Sequence, residues 1–167
     1  VVPAIILVVS SSKSFKIYRE SAGPLSFVSN DNTSSLSNAH RLLRDVARGN
    51  YFMPPDHGAE IVAEILGDER LSAQWRQELD DIRERIYSLR ALLRDTIETM
   101  DPSQDASYLV RQKGMFSCLP LSPEQQMEME QKYGIYMLPN ARINFAALAQ
   151  DKAERVAKAL LAIRNQK

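Results

Sequence analysis

Residues 5–15 read Ile5-Ile6-Leu7-Val8-Val9-Ser10-Ser11-Ser12-Lys13-Ser14-Phe15, and Gly23 closes the segment that follows. The apolar run starts at Val1, has Pro3 near its beginning, and stops at Val9. So short and unbroken a run predicts a buried strand of a mostly parallel sheet, because such strands are covered on both faces and show no alternation. Ligands of open α/β sheets sit at the carboxyl ends of strands. The expected class is therefore α/β, and the end of this strand is where chemistry is expected.

Lys13 has two readings. It is a lysine that snorkels out of an ordinary strand-to-loop junction, or it is an amine whose surroundings let it attack a carbonyl carbon and form a Schiff base. The serines bear on the choice, since three hydroxyls are poor strand material but can donate to a phosphate lying along the strand end. A phosphate beside a Schiff-base lysine points to pyridoxal 5'-phosphate.

Further along the chain, Ser-Ser-Ser-Lys-Ser-Phe-Lys-Ile-Tyr-Arg-Glu-Ser-Ala-Gly (10–23) resembles the lysine segment of the class I aspartate and aromatic aminotransferases, Ser-x-Ser-Lys-Asn-Phe-Gly-Leu-Tyr-x-Glu-Arg-x-Gly. Arg48-Gly49-Asn50-Tyr51 and Pro54-Pro55-Asp56-His57-Gly58-Ala59 resemble that family's Arg-x-Asn-Tyr and Pro-Pro-x-His-Gly-Ala. Gln112-Lys113-Gly114-Met115-Phe116-Ser117 is similar to Gln-x-Gly-Met-Phe-Ser, and Ala141-Arg142-Ile143-Asn144 to Gly-Arg-Val-Asn. The order is kept, and the likeness covers essentially the whole chain.

The resemblance implies the C-terminal portion of a pyridoxal-phosphate transferase of fold type I, that is, the end of the large-domain sheet, a long helix and a small α+β domain. It divides the chain into residues 1–75, belonging to the large cofactor-binding domain, and 76–167, the small domain. Members of the family are about twice this long or more, so the chain is expected to be a fragment without activity on its own. The implied activity of the parent is transfer of an amino group between an amino acid, aspartate or aromatic, and a 2-oxo acid. Lys13 would anchor the cofactor through a Schiff base and move a proton at the substrate α-carbon, with Ser10 and Ser12 near the phosphate. Arg142 would clamp the substrate α-carboxylate, and Phe116 would help close the site. Arg48 would reach a neighbouring subunit's site, which implies a homodimer.

The departures that matter cluster around the phosphate. Ser21 stands where the family has arginine, Lys16 where it often has glycine, and Phe52 where serine is common. Loss of the arginine removes a charge-assisted contact to phosphate worth about 1.5–3 kcal/mol per hydrogen bond. The alternative to an enzyme is therefore a degenerate or truncated relative that acts as a structural or interaction module.

Bulk properties narrow the remaining classes. At 167 residues the chain can bury one core or two small lobes. Lysine plus arginine balances aspartate plus glutamate at 21 each, which gives no electrostatic case for nucleic acid or an anionic membrane. The one cysteine, Cys118, has no internal disulfide partner, which fits a reducing, cytoplasmic setting, and it is expected to be a small buried hydrophobe. The apolar start is too short to span a bilayer and has no basic cluster before it, so neither a membrane helix nor a signal peptide is expected. His40, His57 and Cys118 do not make a metal site.

Taken in order, 22–29 reads as a strand and 30–35 as a polar turn rich in capping residues. A helix is expected to about Arg48, and a short helix capped by Asp56 and ended by Gly67. Leu71, Trp75, Leu79, Ile82, Ile86, Leu89, Leu93, Ile97 and Met100 recur every three or four residues, which predicts one long amphipathic helix beginning at Asp68. Strands are expected at 107–110, 115–119, 135–138 and 143–145. Ser122-Pro123-Glu124-Gln125 starts a helix with a capping box, and 151–164 is a closing helix.

Overall fold

Strand β1 (Ala4–Val8) pairs antiparallel with β2 (Leu25–Ser29), in register from Ala4 opposite Ser29 to Val8 opposite Leu25. The computed structural model describes residues 4–30 and 33–164; residues 1–3 of the apolar run and 31–32 of the polar turn lie outside it. The chain divides into two compact units, Val1–Gln77 and Glu78–Lys167.

In the first unit the ladder continues past the strands, with Val9 N donating to Pro24 O and Ser11 N to Ala22 O. Gly23 is required at this closure, because a Cβ there would lie 1.9 Å from Val9 O. The strand expected to be buried in a parallel sheet is instead exposed along its whole length, and among the described residues its one sheet partner is antiparallel. The reason is local: the segment between the strands returns on itself at Val9–Pro24 and Ser11–Ala22, so β2 can only run back along β1. The uninterrupted apolar pattern is that of a strand covered on both faces, whereas the described residues leave both faces open.

The turn that follows β1 is fastened from one side. Phe15 N donates to Ser11 O at 3.0 Å. The Phe15 ring stacks on Trp75 with centroids 4.5 Å apart, and Trp75 Nε1 donates to Ser14 O at 2.8 Å. Helix α1 (Thr33–Tyr51) runs three residues beyond the expected end and stops where Phe52 takes a left-handed φ of 66° ahead of Pro54-Pro55. Helix α2 (His57–Gly67) does begin after Asp56, but that side chain makes no capping bond, since its backbone is already helical. Gly58 lets α2 approach the loop after β1, for a Cβ would meet the Glu20 Cβ at 2.6 Å. Asp68 is the effective cap: its carboxylate accepts from Leu71 N at 2.8 Å at the start of α3 (Glu69–Met100).

In the second unit the α3 stripe of Leu89, Leu93 and Ile97 meets Leu109, Leu119, Met129, Phe145, Leu160 and Ile163 in one buried cluster. The strand expected at 107–110 is a helical turn, α4 (Tyr108–Arg111), because the Asp105 carboxylate accepts from Ser107 N and turns the backbone there. Strand β3 (Phe116–Cys118) pairs antiparallel with β4 (Arg142–Asn144). Between them lies α5 (Pro123–Tyr133), which carries the expected capping box of Ser122 with Gln125 and ends at Gly134 with φ 61°. The strand expected at 135–138 is reduced to one bridge, Leu138 to Arg142; Ile135 N still serves the end of α5, and Pro139 has no N–H to extend a ladder. Helix α6 (Ala153–Arg164) closes the unit and buries Ala153, Val156, Leu160 and Ile163, as the spacing predicts. Cys118 is exposed, contrary to expectation, since it lies on the outer face of a two-stranded ribbon.

Lys16 holds a φ of 58° at the position where the resembling family often has glycine. A side chain there strains the backbone by roughly 1–2 kcal/mol. Lys16→Gly is expected to stabilise the fold by about 1 kcal/mol net of the entropy of a glycine, read as a higher thermal midpoint; a lower midpoint contradicts the left-handed geometry.

Candidate functional site

Lys13 lies on the turn that follows β1, exposed, with its Nζ 3.7 Å from the centroid of the Tyr18 ring. Such a contact is worth about 0.5–1 kcal/mol at an exposed position and leaves the amine reachable. Ser10 Oγ accepts from Ser12 N at 3.3 Å, so the Ser10 hydroxyl proton stays free to donate elsewhere. Ser11, between them, is buried. One turn thus presents a primary amine and two hydroxyl groups. Ser21, eight positions on, is exposed and left-handed (φ 51°), and Arg19 is an exposed guanidinium beside it on the 3-10 turn Tyr18–Glu20.

Arg48 lies in the last turn of α1, exposed, with its guanidinium 4.6 Å over the Phe52 ring. His57 Nδ1 is 3.2 Å from Glu20 Oε2, a contact that links α2 to the same loop.

Arg142 and Phe116 are brought together in the second unit. Arg142 is half-buried on β4, opposite Cys118 on β3, with its guanidinium 4.7 Å over the Phe116 ring. Its Nε is buried and has no hydrogen-bond partner, and among the described residues no carboxylate pairs with it. It faces a cavity of about 470 Å³ whose walls include Phe116, Tyr136, Met137, Leu138 and Asn144. A half-buried cation with open donors and an apolar surround can accommodate a carboxylate, which fits a guanidinium through two parallel bonds. Ala141, just before it, has φ 54° and is fixed by its N–H donating to Gln126 Oε1 at 3.0 Å.

Arg90 is the residue that sequence reasoning missed. It is 1% exposed. Nη1 donates to Leu109 O and Ser117 Oγ, Nη2 to Gly114 O and Phe116 O, at 2.5–2.8 Å. The Phe145 ring lies 4.5 Å from its guanidinium. Burial pushes its pKa down from the ordinary arginine value, but a guanidinium stays charged throughout the working range. Burial likewise pushes the Tyr108 phenol up. A signal for Arg90 existed: it lies four residues after Ile86 and three before Leu93, on the apolar stripe and not on the charged face.

The aminotransferase class I and II model matches residues 2–160. The chain is 41% identical over 157 residues to the tyrosine aminotransferase of Rhizobium meliloti (strain 1021), covering 94% of this chain and 40% of that protein. It is 34% identical over 159 residues to the aspartate aminotransferase of Escherichia coli (strain K12), covering 95% and 40%. Among solved structures, the aromatic-amino-acid aminotransferase of Burkholderia pseudomallei, covalently bound to pyridoxal phosphate, superposes with a TM-score of 0.87 at 35% identity, covering 95% of this chain and 39% of that one. An aromatic amino acid aminotransferase with 3-indolepropionic acid gives 0.91 at 32% identity, covering 96% and 41%. The chain spans about 40% of the length of these relatives and carries the corresponding part of fold type I. From the match over nearly its whole length, this chain belongs to the aminotransferase class I and II family.

Proposed function

We propose that the chain is the lysine-bearing and carboxylate-binding part of a pyridoxal-phosphate-dependent aminotransferase that moves an amino group between aspartate or an aromatic amino acid and a 2-oxo acid. The observation that carries this reading is Arg142, a half-buried guanidinium with no acidic partner among the described residues, open to an apolar cavity. On this reading residues 1–75 belong to a large domain and 76–167 to a small one, and the parent works as a cytoplasmic homodimer with Arg48 directed to the partner's site. Among the described residues no helix is long and apolar enough to cross a membrane.

The residues present fit the cofactor. The Lys13 amine is exposed and engaged only by an aromatic face, and the Ser10 hydroxyl accepts one bond while keeping its own proton for a phosphate oxygen. When bound, pyridoxal phosphate supplies an aldehyde that condenses with amines and a ring that delocalises charge from the substrate α-carbon. Lys13 Nζ would be the amine that holds the cofactor and would serve as the base for the α-carbon proton. Ser10 and Ser12 hold phosphate oxygens by their hydroxyl groups. Arg142 orients the α-carboxylate bidentately, and the face of Phe116 keeps water from one side of that pair. Tyr136, Met137 and Leu138 offer apolar area for a substrate side chain. Ser21 leaves the phosphate without a guanidinium at that position, and exposed Arg19 or Lys16, close by in sequence, would restore the charge.

Incubation with pyridoxal phosphate, borohydride reduction and peptide mapping are expected to place the pyridoxyl mass on Lys13 and to lose it in Lys13→Ala. Equal labelling of the exposed lysines in both proteins contradicts the assignment and favours a non-catalytic module. In the protein that carries this chain, Lys13→Ala is expected to lower amino transfer by about 10³-fold or more. Ser21→Arg is expected to tighten pyridoxal phosphate about tenfold by restoring a charged contact; unchanged affinity in a fluorescence titration contradicts a missing charge at that position.

A further inference from the structure

The Arg142 side chain has a ring beneath it but, among the described residues, no hydrogen bond to fix where it points. Its direction is therefore set by the β3–β4 ribbon, and the ribbon is held by Arg90. We propose that Arg90 is a positioning residue for carboxylate recognition, acting through the ribbon on Arg142; this rests on the reading of Arg142 as the carboxylate clamp.

One planar group grips β3 and packs on the residue that follows β4. Nη2 holds the carbonyl oxygen of Phe116, the residue whose ring underlies Arg142, and Nη1 holds the hydroxyl of Ser117, next along β3. The same guanidinium lies over Phe145, the residue immediately after β4. The register does the rest: Cys118 is opposite Arg142, Phe116 is opposite Asn144, and Phe145 N donates to Met115 O at 2.8 Å. A shift of β3 along its axis moves the Phe116 ring and the Arg142 backbone together. Two further bonds, to Leu109 O and Gly114 O, tie the group to the segments that precede β3. A lysine cannot reproduce this, because three donors on one ammonium radiate from a single point, whereas a guanidinium spreads its donors across a rigid fork.

The test measures dissociation constants of the chain for 3-indolepropionate and for its uncharged amide, by calorimetry, and takes the amide-to-acid ratio as the carboxylate-specific part of binding. Arg142→Ala is expected to bring that ratio close to one. Arg90→Lys is expected to lower it about tenfold, with the amide constant changed by less than about twofold and the far-ultraviolet dichroism retained. If Arg142→Ala abolishes the preference and Arg90→Lys leaves it intact, or weakens acid and amide equally, the positioning role is overturned while the clamp stands. If the unaltered chain shows no preference, or Arg142→Ala leaves it unchanged, the clamp itself is wrong and the positioning role falls with it. Should Arg90→Lys not fold, Ser117→Ala removes one acceptor without adding a charge; a ratio lowered about threefold supports the proposal, and an unchanged ratio overturns it.

Discussion

A guanidinium buried without a carboxylate sets the terms for the second unit. Removing such an ion from water costs several kcal/mol even after relaxation, and here the compensation comes from three carbonyl oxygens, one hydroxyl and an aromatic face. Hydrogen bonds to a charged donor are worth about 1.5–3 kcal/mol each, so the arrangement is favourable only while all the acceptors converge. That requirement fixes the path of residues 109–117 around the side of α3 and leaves little freedom for β3. The orphaned Arg90 Nε shows that the compensation is incomplete even so.

The two candidate groups meet opposite demands. An amine that would condense with a carbonyl and later be released needs access, and Lys13 is displayed on a turn secured from behind by Trp75, through a stack on Phe15 and a bond to Ser14 O. A guanidinium that must choose a carboxylate needs shielding, since an ion pair fully in water contributes little. Arg142 is accordingly half-buried over Phe116, beside Tyr136 and Leu138. The backbone around both groups is strained in a consistent way. Lys16, Ser21, Phe52 and Ala141 are the non-glycine residues with positive φ among those described, and all four are among the positions that differ from the resembling pattern.

Regular spacing was the part of the fold readable in advance. The α3 stripe and the Ser122 capping box follow from helical period and capping chemistry, and the structure has both. Readings that depend on non-local partners were less secure. The β1 pattern predicts a strand covered on both faces, while its partner and its exposure are set by the loop closure at Gly23. At 107–110 the apolar residues suit a strand, but an Asp105 carboxylate three residues before Tyr108 makes a helical turn. Lys13 and Arg142 could be singled out because their flanking residues resemble a known pattern. Arg90 lies in no such motif, and a charge on an apolar stripe reveals its role only when its acceptors, 19–27 residues further on, are in place.

A crystal structure of the chain with 3-indolepropionate shows whether Arg142 is open to a carboxylate. Both carboxylate oxygens are expected within about 3 Å of Arg142 nitrogens, with the indole against the apolar wall of the cavity. A ligand bound elsewhere, with Arg142 turned onto an acceptor of its own chain, would contradict the account.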